Sequence, residues 1–392
     1  MLALLGLSFA NLDHSLFTLV LTQVKASFGW TDTERGWYLC ATFVLAGFIV
    51  SQIGVLADRI GRKRTLLASM LLTPLFVVAM AFAPGTCSLL ALRTLGFATA
   101  GAQSPLTGTL VLEEAPLRYR GLLSGILQIA YPIGWAAAAL VFVPLVWDAE
   151  SQPQAWRNVF WLALLGLPVA AAFYWWLREP PVWVAARHQG GAESPTTAQL
   201  FQPKFRSRTL ILFSGQFLHV FAYGSTLLLV AWFQEARGWS FTVASSIVGW
   251  SYLIGAFGYV LAAVAGEFWL RRRTVILLWI WLGAAAFVYA LWFAESVDAT
   301  RIAFCVTTFF FFGATAVIFT FTAESYPAYI RATAVSFAGS LAVNLGIAFG
   351  PLATSVLVPQ VGWQWAFTAA GLLPLVLAGV AYSAARHPEP QE

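Results

Sequence analysis

Four ionisable residues stand well inside long apolar runs of this 392-residue chain: Asp13, His14, Arg93 and His219. A charge at the centre of a membrane helix costs roughly 2.5–3.5 kcal/mol on insertion scales, so residues of this kind usually face a cavity and work there. A carboxyl such as Asp13 takes up and releases a proton, and so does an imidazole such as His219. The guanidinium of Arg93 keeps its proton and needs an anion or a carbonyl to hold. Its acceptor is a substrate carboxylate, Asp13 or a backbone carbonyl. Neighbours on a helix point about 100° apart, so Asp13 and His14 do not face one cavity together, and Asp13 is the expected cavity residue. The rival role for His219 is structural, donating to a backbone carbonyl. Gln128, Tyr131, Trp135, Tyr223 and Tyr252 are further side chains that suit a cavity wall, Asp13 and His219 are the candidate proton carriers, and Arg93, His219, Tyr131, Tyr223 and Gln128 are the candidate substrate contacts.

A second concentration of chemistry is GVLADRIGRKRT, residues 54–65, where Asp58, Arg59, Arg62, Lys63 and Arg64 crowd together between Gly54 and Gly61 and beyond. The rest of the chain can hardly supply such a knot: 10% of residues are charged and 59% hydrophobic, with 32 Phe and 18 Trp. Soluble domains are about a quarter charged. A mean hydropathy of +0.75 places the chain in lipid. The net charge of +5 does not indicate a nucleic-acid partner, because the basic residues fall in short clusters between apolar runs. Cys40, Cys87 and Cys305 are too far apart to suggest a disulfide framework or a metal site. There is no P-loop, nucleotide fingerprint or catalytic triad, so the chain reads as neither an enzyme nor an ATP-driven pump, and no cofactor is expected.

The elements that must position these residues follow from hydropathy. A spanning helix takes about 20 mostly apolar residues. Breaking the chain at charge and Gly/Pro clusters gives twelve runs, near 2–27, 36–57, 65–84, 87–112, 121–147, 157–177, 209–234, 241–266, 274–294, 300–322, 332–358 and 363–384. The first run has no basic n-region or cleavage signal and reads as a retained helix. It starts abruptly, Lys25 being the first basic residue, as a start lacking a short preceding segment would. With the N-terminus inside, Lys25, Arg35, Arg157, Arg237 and Arg301 face outward, Arg93 lies within a helix, and every other Lys and Arg is cytoplasmic. Both termini and the polar linker 179–208 are then cytoplasmic. The linker separates a six-helix bundle, 1–178, from a second, 209–392.

The halves repeat. Glu113 opens E-x-x-P-x-x-x-R ending at Arg120, and Glu324 opens the same pattern ending at Arg331, 211 residues later. Asp58 opens an acid–spacer–basic-triplet–Thr pattern that recurs 209 residues on at Glu267, with Arg271 opening the second triplet. The chain is thus expected to be an all-α membrane protein of twelve helices in two pseudo-symmetric bundles, the arrangement that alternating access uses.

GVLADRIGRKRT resembles the G-x-x-x-D-R-x-G-R-R/K-x loop between helices two and three of the major facilitator superfamily, with Gly54, Asp58, Arg59, Gly61, Arg62 and Lys63 matching. Together with twelve helices and the paired loops, the resemblance covers the whole chain. REPPVWVAARH, from Arg178, resembles the E-S-P-R-W-L segment of sugar-porter and organic-ion branches, except that Val182 replaces its Arg. The resemblance implies a cytoplasmic latch. Asp58 caps the helix that starts near Arg331, Arg62 pairs with Glu113 or Glu114, Arg120 shares that acid, and Glu267, Arg271, Glu324 and Arg331 form the mirror network. For Arg59, Lys63 and Arg64 the simpler role is to set topology. The resemblance also implies a proton-coupled Asp in helix one, within a D-x-x-D-F-type pattern from which Ser15 departs. Helix seven resembles that of carboxylate–proton symporters around His219. The function this implies is proton symport of a small, anionic organic acid across a bacterial inner membrane by a monomer. A drug or metabolite antiporter is disfavoured because helix five reads QIAYPIGWAAA rather than G-P-x-x-G-G, and a neutral sugar or polyol carrier is disfavoured by Arg93.

Overall fold

The computed structural model describes residues 2–114, 127–148, 152–176 and 197–385, and these are helical almost throughout, with no strand among them. Twelve helical runs follow one another: α1 (2–28), α2 (Asp32–Ile60), α3 (Arg62–Phe82), α4 (Thr86–Glu114), α5 (Ala130–Val146), α6 (153–176), α7 (Pro203–Glu235), α8 (Phe241–Trp269), α9 (Arg272–Trp292), α10 (Val297–Glu324), α11 (328–361) and α12 (363–384). Eight of the helical segments are by themselves long and apolar enough to cross a membrane, nine if the 46° bend in α1 is counted within one span. The difference from twelve has local causes. Residues Val335–Ala384 pass as one segment, yet Gly362, at φ 77 and ψ 169, breaks them into α11 and α12. The described part of α5 is short, and α4 carries Arg93, Thr94, Gln103 and Thr107. The protein is a multi-pass membrane protein.

The helix limits differ from the hydropathy runs where the first turns are polar. α7 starts at Pro203 rather than 209, with the proline in the first turn, where its missing N–H costs nothing. Lys204, Arg206 and Arg208 belong to this polar turn, which an apolar scan does not see. Gly61 separates α2 from α3 at φ 114, a conformation that a side chain would strain.

The chain forms two compact units. One comprises Met1–Thr31, Ala41–Gly191 and Leu229–Leu253; the other comprises Asp32–Cys40, Ala192–Leu228 and Ile254–Glu392. In the first unit α5 lies directly against α1. A Cβ on Gly134 would come within 2.3 Å of the Ser8 carbonyl oxygen. Leu66 and Met70 of α3 pack with Ala57 of α2, Ala102 and Leu106 of α4, and Phe173 of α6. Thr73, Thr99 and Gln103 form a buried hydrogen-bonded cluster between α3 and α4. Lys25 of α1 and Glu235 of α7 form an ion pair at 3.2 Å.

In the second unit α7 lies against α11 in the same manner, with a Cβ on Gly350 falling 2.3 Å from the Phe221 carbonyl oxygen. α8 meets α10 at Gly258, whose added Cβ would sit 2.0 Å from the carbonyl oxygen of Phe309. Lipid offers no hydrophobic force between helices, so small residues that permit close backbone contact supply much of the packing. Gly258→Ala is therefore expected to lower the melting temperature, because overpacking costs about 1–3 kcal/mol or more against a helix-propensity gain of about 1. Gly54→Ala, at a position with nothing within 4 Å of the new carbon, should leave it unchanged or raised. Thermal melting of the two purified variants checks this.

Candidate functional site

Arg93 of α4 is buried, and its Nη2 donates to the His14 carbonyl oxygen of α1 at 3.0 Å. Of the three acceptors open to it in the sequence, the backbone carbonyl is engaged. Its guanidinium also lies over the rings of Phe17, at 4.8 Å, and Phe97, at 5.4 Å. His14 also stacks on Phe97, 4.0 Å from it and nearly parallel to it. The His14 Nε2 approaches the Phe97 carbonyl oxygen at 3.3 Å, and since a carbonyl only accepts, that nitrogen carries the hydrogen. Phe43 of α2 meets Phe97 edge-on at 4.8 Å. Asp13 is buried within the Coulombic reach of Arg93. α1 and α4 therefore bring Asp13, His14 and Arg93 together, with Phe97 at the centre. Phe97 was missed by sequence reasoning, although its position four residues after Arg93 puts both on one face of α4.

In the second unit His219 of α7 is fully buried and stacks on Phe311 of α10 at 4.4 Å, with its Nε2 3.0 Å from Thr315 Oγ1. Tyr223, one turn further along α7, touches the rings of Phe311 and Phe312. The counterpart of His219 is thus His14: each histidine lies face-on to a phenylalanine of the fourth helix of its half. A signal for this was present, because an amide precedes each histidine by three residues, Asn11 in one half and Gln216 in the other. Gln216 is fully buried, and neither its Oε1 nor its Nε2 has a hydrogen-bond partner among the described residues. A buried polar group left unmet costs about 1–3 kcal/mol.

Three of the candidate wall aromatics form one cluster. Trp135 stacks on Tyr252 at 4.8 Å, and Tyr131 lies 6.2 Å from each. Tyr223 is not part of that cluster but of the α7–α10 contact. Gln128 is half-buried just ahead of α5. No group of three His, Cys, Asp or Glu that could hold a metal occurs among the described residues.

The charged loops are described in part. Arg120 and the side chains of Asp58, Arg59, Glu113 and Glu114 lie outside the described residues. Arg62 lines a cavity with Gly54, Ala57 and Pro105, and Lys63 lies over the Tyr174 ring at 5.8 Å. In the mirror network Arg272, not Arg271, pairs with the acids: with Glu267 at 2.9 Å and Glu324 at 2.8 Å. Arg271 is the extended N-cap residue of α9, so the first helical position falls to Arg272, which reaches both acids. Arg273 donates to the carbonyls of Tyr382 and Ser383 at the end of α12, where a cation suits the helix dipole. Arg331 Nε donates to the Tyr326 carbonyl oxygen at 3.4 Å. Arg208 donates to the Ser325 carbonyl, and Thr209 pairs with the Tyr326 hydroxyl at 2.8 Å. Burial raises the pKa of that hydroxyl, opposed by Thr209 and by the Arg208 charge.

The family model of the Major Facilitator Superfamily matches residues 3–340, and again 212–392. The chain belongs to the Major Facilitator Superfamily. It is a transporter-family protein, not an enzyme. Among curated relatives, it is 28% identical to the niacin transporter NiaP of Acinetobacter baylyi over 96% of this chain and 90% of that one. It is 25% identical to the cis,cis-muconate transport protein of the same organism over 89% and 84%. Among solved structures, a bacterial homologue of the human lysosomal transporter Spinster superposes with a TM-score of 0.77 at 16% identity, covering 98% of this chain and 95% of that one, which shows the fold.

Within a Major Facilitator Superfamily chain, the Arg272 network lies where the repeat places the counterpart of the α2–α3 loop. Each exposed pair is worth about 0.2–1 kcal/mol, and Arg272 makes two. Arg272→Gln is expected to slow initial uptake several-fold at matched expression, and Arg271→Gln to slow it less. Equal losses in the two variants would show that the triplet acts only through its summed charge.

Proposed function

We propose that this chain is a proton-coupled symporter of small, planar organic acids, working by alternating access. The observation that carries the reading is Arg93: a permanent cation buried on α4, bound to the α1 backbone and acting electrostatically on Asp13. The His14 carbonyl satisfies a donor but does not neutralise the charge. Asp13 as a carboxylate offsets it. Asp13 as a neutral acid leaves the field of Arg93 to an incoming carboxylate. Proton uptake and anion binding then favour one another, and neither half-loaded state is balanced. The niacin and muconate transporters among the relatives support a carboxylate cargo, both of these being flat conjugated acids. The Tyr131–Trp135–Tyr252 cluster offers rings that suit such a cargo.

On this reading the proton gradient is the energy source, with no other cofactor, and the Asp58–Arg62 loop and its Glu267–Arg272–Glu324 counterpart act as cytoplasmic latches. Both termini face the cytoplasm of a bacterial inner membrane, and the functional unit is the monomer.

In proteoliposomes, wild-type protein should accumulate labelled nicotinate when the outside is acidified. Asp13→Asn should lose that accumulation while keeping nicotinate counterflow, which needs no net proton movement. Undiminished pH-driven accumulation in Asp13→Asn would move the proton elsewhere, and the absence of any organic-acid uptake by the wild type would remove the reading.

A further inference from the structure

The turn from α8 to α9, residues 267–273, joins two segments that are each long and apolar enough to cross a membrane, so it lies at a membrane boundary. In the repeat it answers to DRIGRKRT of the first half, but Phe268, Trp269 and Leu270 stand where that loop has Arg59, Ile60 and Gly61. The last turn of α8, Ala265–Trp269, is wound as a π-helix, and the Leu270 N–H closes it on the Ala265 carbonyl oxygen at 2.8 Å. Phe268 and Trp269 leave that turn 75% and 66% exposed.

The three arginines that follow are used differently. Arg272 pairs with Glu267 and Glu324, and Arg273 donates to the carbonyls of Tyr382 and Ser383. Arg271 is exposed, and its side chain has no partner among the described residues. Its place is at the head of the outward stripe of α9, because Leu278 and Leu282, seven and eleven positions on, are exposed as well. Phe257 and Leu261 continue the outward face of α8 in the same way. Lipid tails cover such stripes, and the end of a stripe is where headgroups lie. Arg271, Arg272 and Arg273 against Glu267 and Glu324 leave one positive charge over, and Arg271 is the residue that keeps it.

We propose that Arg271, Trp269 and Phe268 form a binding site for the headgroup of an anionic phospholipid. The guanidinium fork holds the phosphate, and the indole takes the headgroup level that tryptophan favours. Phe268 meets the upper part of the acyl chains. A zwitterionic headgroup brings a cation of its own towards Arg271 and gains less, so the site prefers net negative lipid. The site is independent of what the transporter carries.

The test uses the full chain in phosphatidylcholine nanodiscs containing rising fractions of brominated phosphatidylglycerol or brominated phosphatidylcholine, whose bromines quench nearby tryptophan. The emission that Trp269→Phe removes is the signal of Trp269. In wild type, half-quenching of that signal should take about fivefold less phosphatidylglycerol than phosphatidylcholine, the enrichment one basic residue near a charged surface gives. Molar salt should remove the preference without any substitution. Arg271→Gln should remove it too, while Arg64→Gln, at the exposed arginine of the counterpart loop, should leave it intact. Equal quenching by the two lipids in wild type overturns the proposal, as does a preference that persists in molar salt or in Arg271→Gln. An equal loss in Arg64→Gln also overturns it, because the preference then follows the summed charge of the protein and not a site.

Discussion

A guanidinium that cannot lose its proton, buried in a membrane protein, must be met by acceptors, and much of the first unit is arranged around that requirement. Arg93 finds the His14 carbonyl and the faces of Phe17 and Phe97. Those contacts set α4 against α1 in one register. The same register lays His14 flat on Phe97 and keeps Asp13 within the electrostatic influence of the cation. α1 is held on another side by α5, through the close approach at Gly134. An Arg at this position is costly to fold around, which is reason to expect that it works.

The duplicated half keeps the scaffold and changes the chemistry. His219 on Phe311 repeats His14 on Phe97, and the glycines of α11 repeat the close contact that Gly134 makes in α5. Counting from the paired phenylalanines, Arg93 corresponds to Thr307, which is buried and returns its hydroxyl to the Ala303 carbonyl. The first half thus carries two ionisable groups, Asp13 and Arg93. The second carries neutral hydrogen-bonding groups in Gln216, His219 and Thr315.

Much of this was legible in the sequence, for a physical reason: in a chain with so few charges, one set inside a long apolar run stands out. Asp13, Arg93 and His219 were visible that way, and twelve apolar runs with a repeat near 210 residues pointed to the fold. Gly61, flagged by its loop pattern, takes a positive φ. What was hidden depends on direction rather than composition. Phe97 is one of 32 phenylalanines, and nothing in its type singles it out. Arg271 and Arg272 are indistinguishable as letters; which of them meets Glu267 and Glu324 depends on where α9 begins. The pairing of His14 with His219 was obscured by Asp13, a more conspicuous residue next door.

The account turns on whether Arg93 holds the carboxylate of the substrate, and equilibrium binding of nicotinate to wild type and Arg93→Lys across a range of pH tests this most directly. Lysine keeps the charge but loses the planar fork that meets a carboxylate with two parallel bonds. The account predicts a loss of about 1.5–3 kcal/mol in affinity, the worth of a charge-assisted hydrogen bond, with the pH profile keeping its position. An unaltered affinity at saturating proton together with a displaced pH profile would contradict it, and would leave Arg93 as a partner of Asp13 alone.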